Sequence, residues 1–181
     1  MTLLLQHHDT RLVSKSDGQG ASIGTFRPGR PYTYTVGAVC VDGPDRVTIT
    51  SVEPHVLTGT MKVVDFSTTY PSASGDDRRS TDLDTFTHEI DAFLVGDIHH
   101  EARTRCGRGP DQESVAIEID VDDADSLPVV ADEVVVHYTS DGRKSSTVLE
   151  SAFTLCSGTD RDSIVEELED QHDTSFVVTC D

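Results

Sequence analysis

Residues 114–121 read SVAIEIDV, and this alternation constrains the fold more than any other stretch of the chain. Val115, Ile117, Ile119 and Val121 fall on one parity, while Glu118 and Asp120 fall on the other. A period of two places the apolar set on one face of a half-buried strand. Further runs repeat the pattern at residues 32–41, 46–52, 61–67, 86–95 and 133–140, with a return run at 143–156. Turn-forming residues separate them: Asp42-Gly43-Pro44-Asp45, Gly96-Asp97 and Asp141-Gly142. Residues 32–41 and 46–52 read as one hairpin, and 133–140 with 143–156 as another.

Eight or nine short strands without strand–helix alternation imply an all-β fold, and a sandwich is favoured over a barrel. One segment breaks the period. Residues 160–171, DRDSIVEELEDQ, carry Ile164, Val165 and Leu168 as a narrow helical stripe with acids early in the segment. Residues 175–180 follow as a last strand or a pinned arm. Residues 6–30 are polar and glycine-bearing. The expected layout is a flexible polar arm at 1–29, a sandwich at 30–157 and a short helical extension at 158–181.

The 181 residues carry a formal net charge of −19, with three lysines, Lys15, Lys62 and Lys144, and no asparagine. Such a surface repels phosphate backbones and anionic membranes, so neither nucleic acid nor an anionic lipid surface is an expected partner. A solvated acidic surface serves solubility. A sharper reading is adaptation to high salt, where screening removes self-repulsion.

Four cysteines, Cys40, Cys106, Cys156 and Cys180, form no C-x-x-C pair, which disfavours zinc ribbons and thioredoxin-type redox sites. Their even count and wide spacing suggest two structural disulfides and an oxidising compartment. Three pairings are possible, and four free thiols in a cytoplasmic protein are the alternative. The opening MTLLLQHHDT lacks the basic flank and apolar length of a signal peptide. Leu3-Leu4-Leu5 is the expected trace of a leader or anchor, which the upstream reading frame tests.

The densest group of reactive residue types is DIHHEARTRC at 97–106. Successive strand residues point to opposite faces, so His99 and His100 do not converge on one ion. His99 and Glu101 share a face and are the weak candidates for metal. They need further ligands, and His88 lies roughly 16 Å away along the partner strand. Cys106 follows Arg103 and Arg105, which favour a thiolate, but no base or oxyanion site accompanies it, so a structural cysteine is the expected role.

Residues 120–133, DVDDADSLPVVADE, are rich in carboxylates. Ala124 and Leu127 break the EF-hand template when it starts at Asp122, leaving only a loose calcium loop as a candidate. Nucleophile-elbow, phosphate-loop, dinucleotide and blue-copper patterns are missing, so no catalytic residue and no cofactor are expected. His7-His8 in the arm carries no argument.

The assembled pattern resembles an immunoglobulin-like β-sandwich of bacterial envelope or secreted proteins over residues 30–157. The resemblance rests on Cys40 in YTYTVGAVCVDGPDRVTIT and on the late Asp-Gly hairpin closing in Phe153-Thr154-Leu155-Cys156. It departs from antibody-type domains in having no tryptophan and no tyrosine-corner spacing at Tyr138.

The resemblance implies an exported, non-enzymatic module, structural or binding another envelope or surface protein. It also implies that Cys40–Cys156 ties early and late strands while Cys106–Cys180 pins the extension. The two other expected classes are a metal-binding module, for calcium or a transition metal, and a hydrolytic enzyme with a loop-borne site. If the acidic composition is a salt adaptation, the melting temperature rises with molar KCl. A flat or falling profile rejects that adaptation.

Overall fold

The computed structural model describes residues 9–15, 19–23, 26–29, 31–69, 100–107 and 112–157. The expected strand at 86–95, the Gly96-Asp97 turn, the helix at 160–171 and the run at 175–180 lie outside the described residues, as do His7, His8, His88, His99 and Cys180.

The described chain is all-β, in two mainly antiparallel sheets packed as a sandwich. Ten described strands form them: β1 (Arg11–Ser14), β2 (Gln19–Ile23), β3 (Tyr32–Asp42), β4 (Val47–Thr58), β5 (Lys62–Thr69), β6 (Glu101–Ala102), β7 (Glu113–Asp120), β8 (Val129–Ser140), β9 (Arg143–Leu149) and β10 (Ser151–Leu155). One sheet has the order β1-β3-β7-β5. The other runs β2-β10-β8-β4-β6, with β9 also paired to β8. The helical content among the described residues is a single 3-10 turn at Ala124–Ser126, capped by Asp123.

The alternation in β7 positions the core. Val115, Ile117, Ile119 and Val121 are fully buried. Val115, Ile117 and Ile119 lie opposite Gly37, Tyr34 and Tyr32 of β3. From the other sheet come Val47, Ile49 and Val52 of β4, Val134, Val136 and Tyr138 of β8, then Leu149, Phe153 and Leu155. Tyr34 and Phe153 meet across the gap at 5.5 Å between ring centroids.

Burying one such Val, Leu, Ile or Phe side chain contributes roughly 1.5–3 kcal/mol. An exposed ion pair contributes about 0–1 kcal/mol. The inter-sheet face therefore outweighs Arg11–Asp42, Lys62–Asp122 and Arg143–Asp9, all of which are solvent-exposed.

The Asp141-Gly142 hairpin forms as expected. Ser140 pairs with Arg143, and both turn residues have positive φ, 50° and 73°, the signature of a two-residue type I′ turn. The return run is interrupted only at Glu150, which separates β9 from β10.

Two expectations are corrected. The runs at 32–41 and 46–52 are not a hairpin, because β3 and β4 belong to different sheets. Both edges of β3 are already occupied, by β1 and by β7, so the chain crosses to the second sheet at 43–46. Thr10 packs under that crossing: its Oγ1 accepts from Asp45 N at 3.2 Å. The stretch expected to be a loose arm also contains two strands. β1 pairs antiparallel with β3, and β2 pairs parallel with β10. Their polar, short sequences carry little signal of their own; the partner edges supply the pairing.

Gly59 links β4 to β5 with φ +75°, and a Cβ there would lie 2.3 Å from Pro128 O and 2.6 Å from Ser126 O. Gly142 has nearly the same φ, +73°, but open space around it. Gly142→Ala should cost about 1 kcal/mol, the backbone term alone. Gly59→Ala should cost at least about 2–3 kcal/mol, because the close backbone approach adds to it. Urea unfolding of both variants reads the difference, and equal midpoints would contradict the close-approach account.

Candidate functional site

The segment 100–106, singled out by its histidines and cysteine, carries the chain from one sheet to the other. Its first half belongs to the β4 side. Glu101 and Ala102 pair with Thr48 and Val47, and Ile49 N donates to His100 O at 2.7 Å. Its second half belongs to the β3 side. Val41 N donates to Thr104 O at 2.7 Å and Cys106 N donates to Val41 O at 2.9 Å, a parallel bridge centred on Arg105. It extends the first sheet past the start of β7, where Glu113 lies opposite Val39.

The switch places two backbone N–H groups, those of Arg103 and Thr104, between the two ladders. Glu113 accepts both. Its Oε1 takes Arg103 N at 2.6 Å and Thr104 N at 2.5 Å. Glu113 has the inward parity of Val115, Ile117 and Ile119, and it is fully buried. A buried carboxylate is costly unless its oxygens are hydrogen-bonded. Charge-assisted bonds of this kind contribute about 1.5–3 kcal/mol each. The second oxygen, Oε2, is buried with no hydrogen-bond partner.

A disulfide fastens the same segment from the other side. Cys40 bonds to Cys106, with 5.0 Å between Cα atoms and a sequence separation of 66. Closing a loop of that length stabilises by about 4 kcal/mol in the chain-entropy model. This corrects the expected Cys40–Cys156 tie. Val39 and Val41 belong to the inter-sheet core, so Cys40 between them faces away from it and does not reach across the sandwich. Cys156 is also disulfide-bonded, and no described cysteine is free. Cys106 thus presents no thiolate, which removes the nucleophile reading in this oxidised form.

Of the metal candidates, Glu101 is described and His99 is not. Glu101 is engaged by Arg103 at 2.7 Å and Arg46 at 3.4 Å. The Arg103 hydrogen bond is the main cause that lowers its pKa. The neighbouring His100 stacks on Phe66, 4.6 Å between centroids. In the acidic loop, Asp122 holds Lys62 and raises its pKa, and Asp123 caps the 3-10 turn through Ser126. Among the described residues, no three His, Cys, Asp or Glu side chains converge to hold an ion.

A feature the sequence reading missed lies where the sheets part. A cleft of about 450 Å³ opens between β4 and β5, with Val52, Val56, Met61, Val63 and Phe66 among its lining residues. Phe66 opposes Ile117 and so points inward, where it packs on the core and remains half-buried. The cleft is built by two strands of different sheets, so local periodicity does not reveal it. No protein-family model and no curated protein matches the chain.

Two outcomes follow. Glu113→Gln keeps the shape but weakens both N–H contacts and places an amide where Oε2 has no partner. It should destabilise by about 2–3 kcal/mol, read by denaturant unfolding under non-reducing conditions. A loss below about 0.5 kcal/mol, the scale of a neutral surface change, would contradict the clamp.

On the outer face, His55 Nδ1 meets Asp132 Oδ1 at 2.8 Å, and this hydrogen bond and charge raise the His55 pKa above 6.5. The pair therefore adds stability below pH 6.5 and loses it as pH rises through the raised value. Asp132→Asn should return the His55 titration, followed by NMR, toward its ordinary value; an unchanged midpoint contradicts the pairing.

Proposed function

We propose that this chain is a non-enzymatic, extracytoplasmic or cell-surface module of immunoglobulin-like type, with a structural or protein-binding role. The observation that carries the reading is the Cys40–Cys106 bond. A disulfide that fastens a sheet-crossing segment is expected where thiols oxidise and persist so. The strand order supports the immunoglobulin-like part. β1-β3-β7-β5 corresponds to the A-B-E-D sheet of such domains, and β10-β8-β4 to G-F-C. The disulfide position differs from the inter-sheet B–F bond of antibody domains, which matches the missing tryptophan.

Among the described residues, no helix is long and apolar enough to cross a membrane. Against an enzymatic role stands the use of the reactive residue types: Cys106 is bonded, Glu101 is paired to arginines and Glu113 holds backbone.

The test is peptide mapping of protein alkylated at the moment of lysis of its native source, without reductant. The expected result is a Cys40–Cys106 peptide. Since the sequence holds four cysteines, Cys156–Cys180 is the expected second one. Four alkylated thiols would overturn the compartment assignment.

A further inference from the structure

Among the described residues, β9 has a partner strand on one edge only. Its seven residues, Arg143–Leu149, pair with β8 in unbroken register from Val134↔Leu149 to Ser140↔Arg143. In an antiparallel pair alternate residues bond to the neighbour, and those between them aim N–H and C=O outward. Residues 143–146 and Val148 are exposed, so side chains on both faces of this stretch meet solvent. The other described edges are short or interrupted. β1, β2 and β6 have four, five and two residues. β4 carries Pro54, which lacks an N–H, and shifts register three times against β8. β5 shifts between Val63 and Asp65, where Asp65 Oδ1 accepts Phe66 N at 2.8 Å. β9 has no proline, no register shift and no acidic residue.

The side chains of β9 add a selective pattern. Thr147 and Leu149 lie opposite the inward Val136 and Val134, so Lys144, Ser146 and Val148 share the outer face. Val148 is 42% exposed, one of two large hydrophobic residues so exposed among the described residues. Lys144 has no hydrogen-bond or ion-pair partner among the described residues. A lysine on an open edge disfavours unmatched strands, whereas an opposite charge directly across the ladder is favourable.

We infer that β9 takes up an extended, antiparallel segment of a partner protein that sets an apolar residue opposite Val148, a small polar one opposite Ser146 and a carboxylate opposite Lys144. The inference deepens the protein-binding reading and rests on it. The backbone ladder supplies affinity, and the three alternate side chains fix register and specificity. A second copy fits less well. It brings a charge of −19 and is repelled, and pairing all of β9 with its own copy sets Lys144 against Val148 instead of a carboxylate.

The test is an amide NMR titration of the full chain, disulfides intact, at physiological ionic strength. The probe is an acetylated, amidated Thr-Val-Thr-Thr-Thr-Glu-Thr peptide. One control replaces the glutamate by lysine. The other replaces the first two threonines after the valine by proline, which removes ladder N–H groups. Shifts should concentrate at the amides of residues 144–148, and each control should bind at least about fivefold more weakly. Lys144→Glu, an exposed change, should reverse the preference, so that the lysine peptide binds more tightly than the glutamate one.

Shifts away from β9, equal binding of the proline control, or a preference indifferent to Lys144→Glu overturns the proposal. So does an absence of shifts. Concentration-dependent broadening of the β9 amides without peptide makes a second copy the occupant and overturns it too. None of these results alters the thiol mapping, so failure of the β9 edge and failure of the compartment assignment remain separate.

Discussion

Two backbone N–H groups and one buried carboxylate hold the architecture at its most demanding point. A chain that passes from one sheet to the other loses ladder partners for a residue or two, and those backbone groups need another acceptor. Glu113 removes the problem by accepting from Arg103 and Thr104 through a single oxygen. The cost of burying the charge is offset only while both donors stay in place. The carboxylate and the crossing segment therefore specify each other's position. The Cys40–Cys106 bond acts on the same segment from the opposite face of the sheet. The seven residues 100–106 are thus held by backbone pairing at both ends, a carboxylate on one side and a disulfide on the other.

The acidic composition does different work in different places. Most described carboxylates are exposed, and several are engaged by the few cations, as in Arg11–Asp42 and Lys62–Asp122. Such pairs position side chains more than they stabilise the fold. Glu113 is the opposite case, buried and bonded to backbone.

The parts of the fold legible in the sequence were those with local causes. The β7 alternation and the Asp141-Gly142 turn each involve neighbours in the chain, and both appear as expected. Sheet membership is not local. The β3 and β4 runs look like a hairpin because a turn joins them, and only the occupancy of both β3 edges sends them apart. Glu113 left a trace that the reading overlooked. It shares the parity of Val115, Ile117 and Ile119, so extending that strand by one residue places a carboxylate on the inward face. Cys40 left a similar trace, since Val39 and Val41 claim the inward positions and exclude a tie across the core. β1, β2 and the cleft had no comparable signal, because pairing and curvature from distant residues create them.

Hydrogen exchange at two amides tests the central account most directly. In the native protein, the Arg103 and Thr104 amides should exchange as slowly as those of the β7 strand beside them, because Glu113 holds both. In Glu113→Ala these two should exchange much faster, while the amides of Val115 and Ile117 keep most of their protection. Fast exchange of Arg103 and Thr104 in the unmodified protein, or no selective change in the variant, would contradict the claim that this carboxylate fastens the crossing between the sheets.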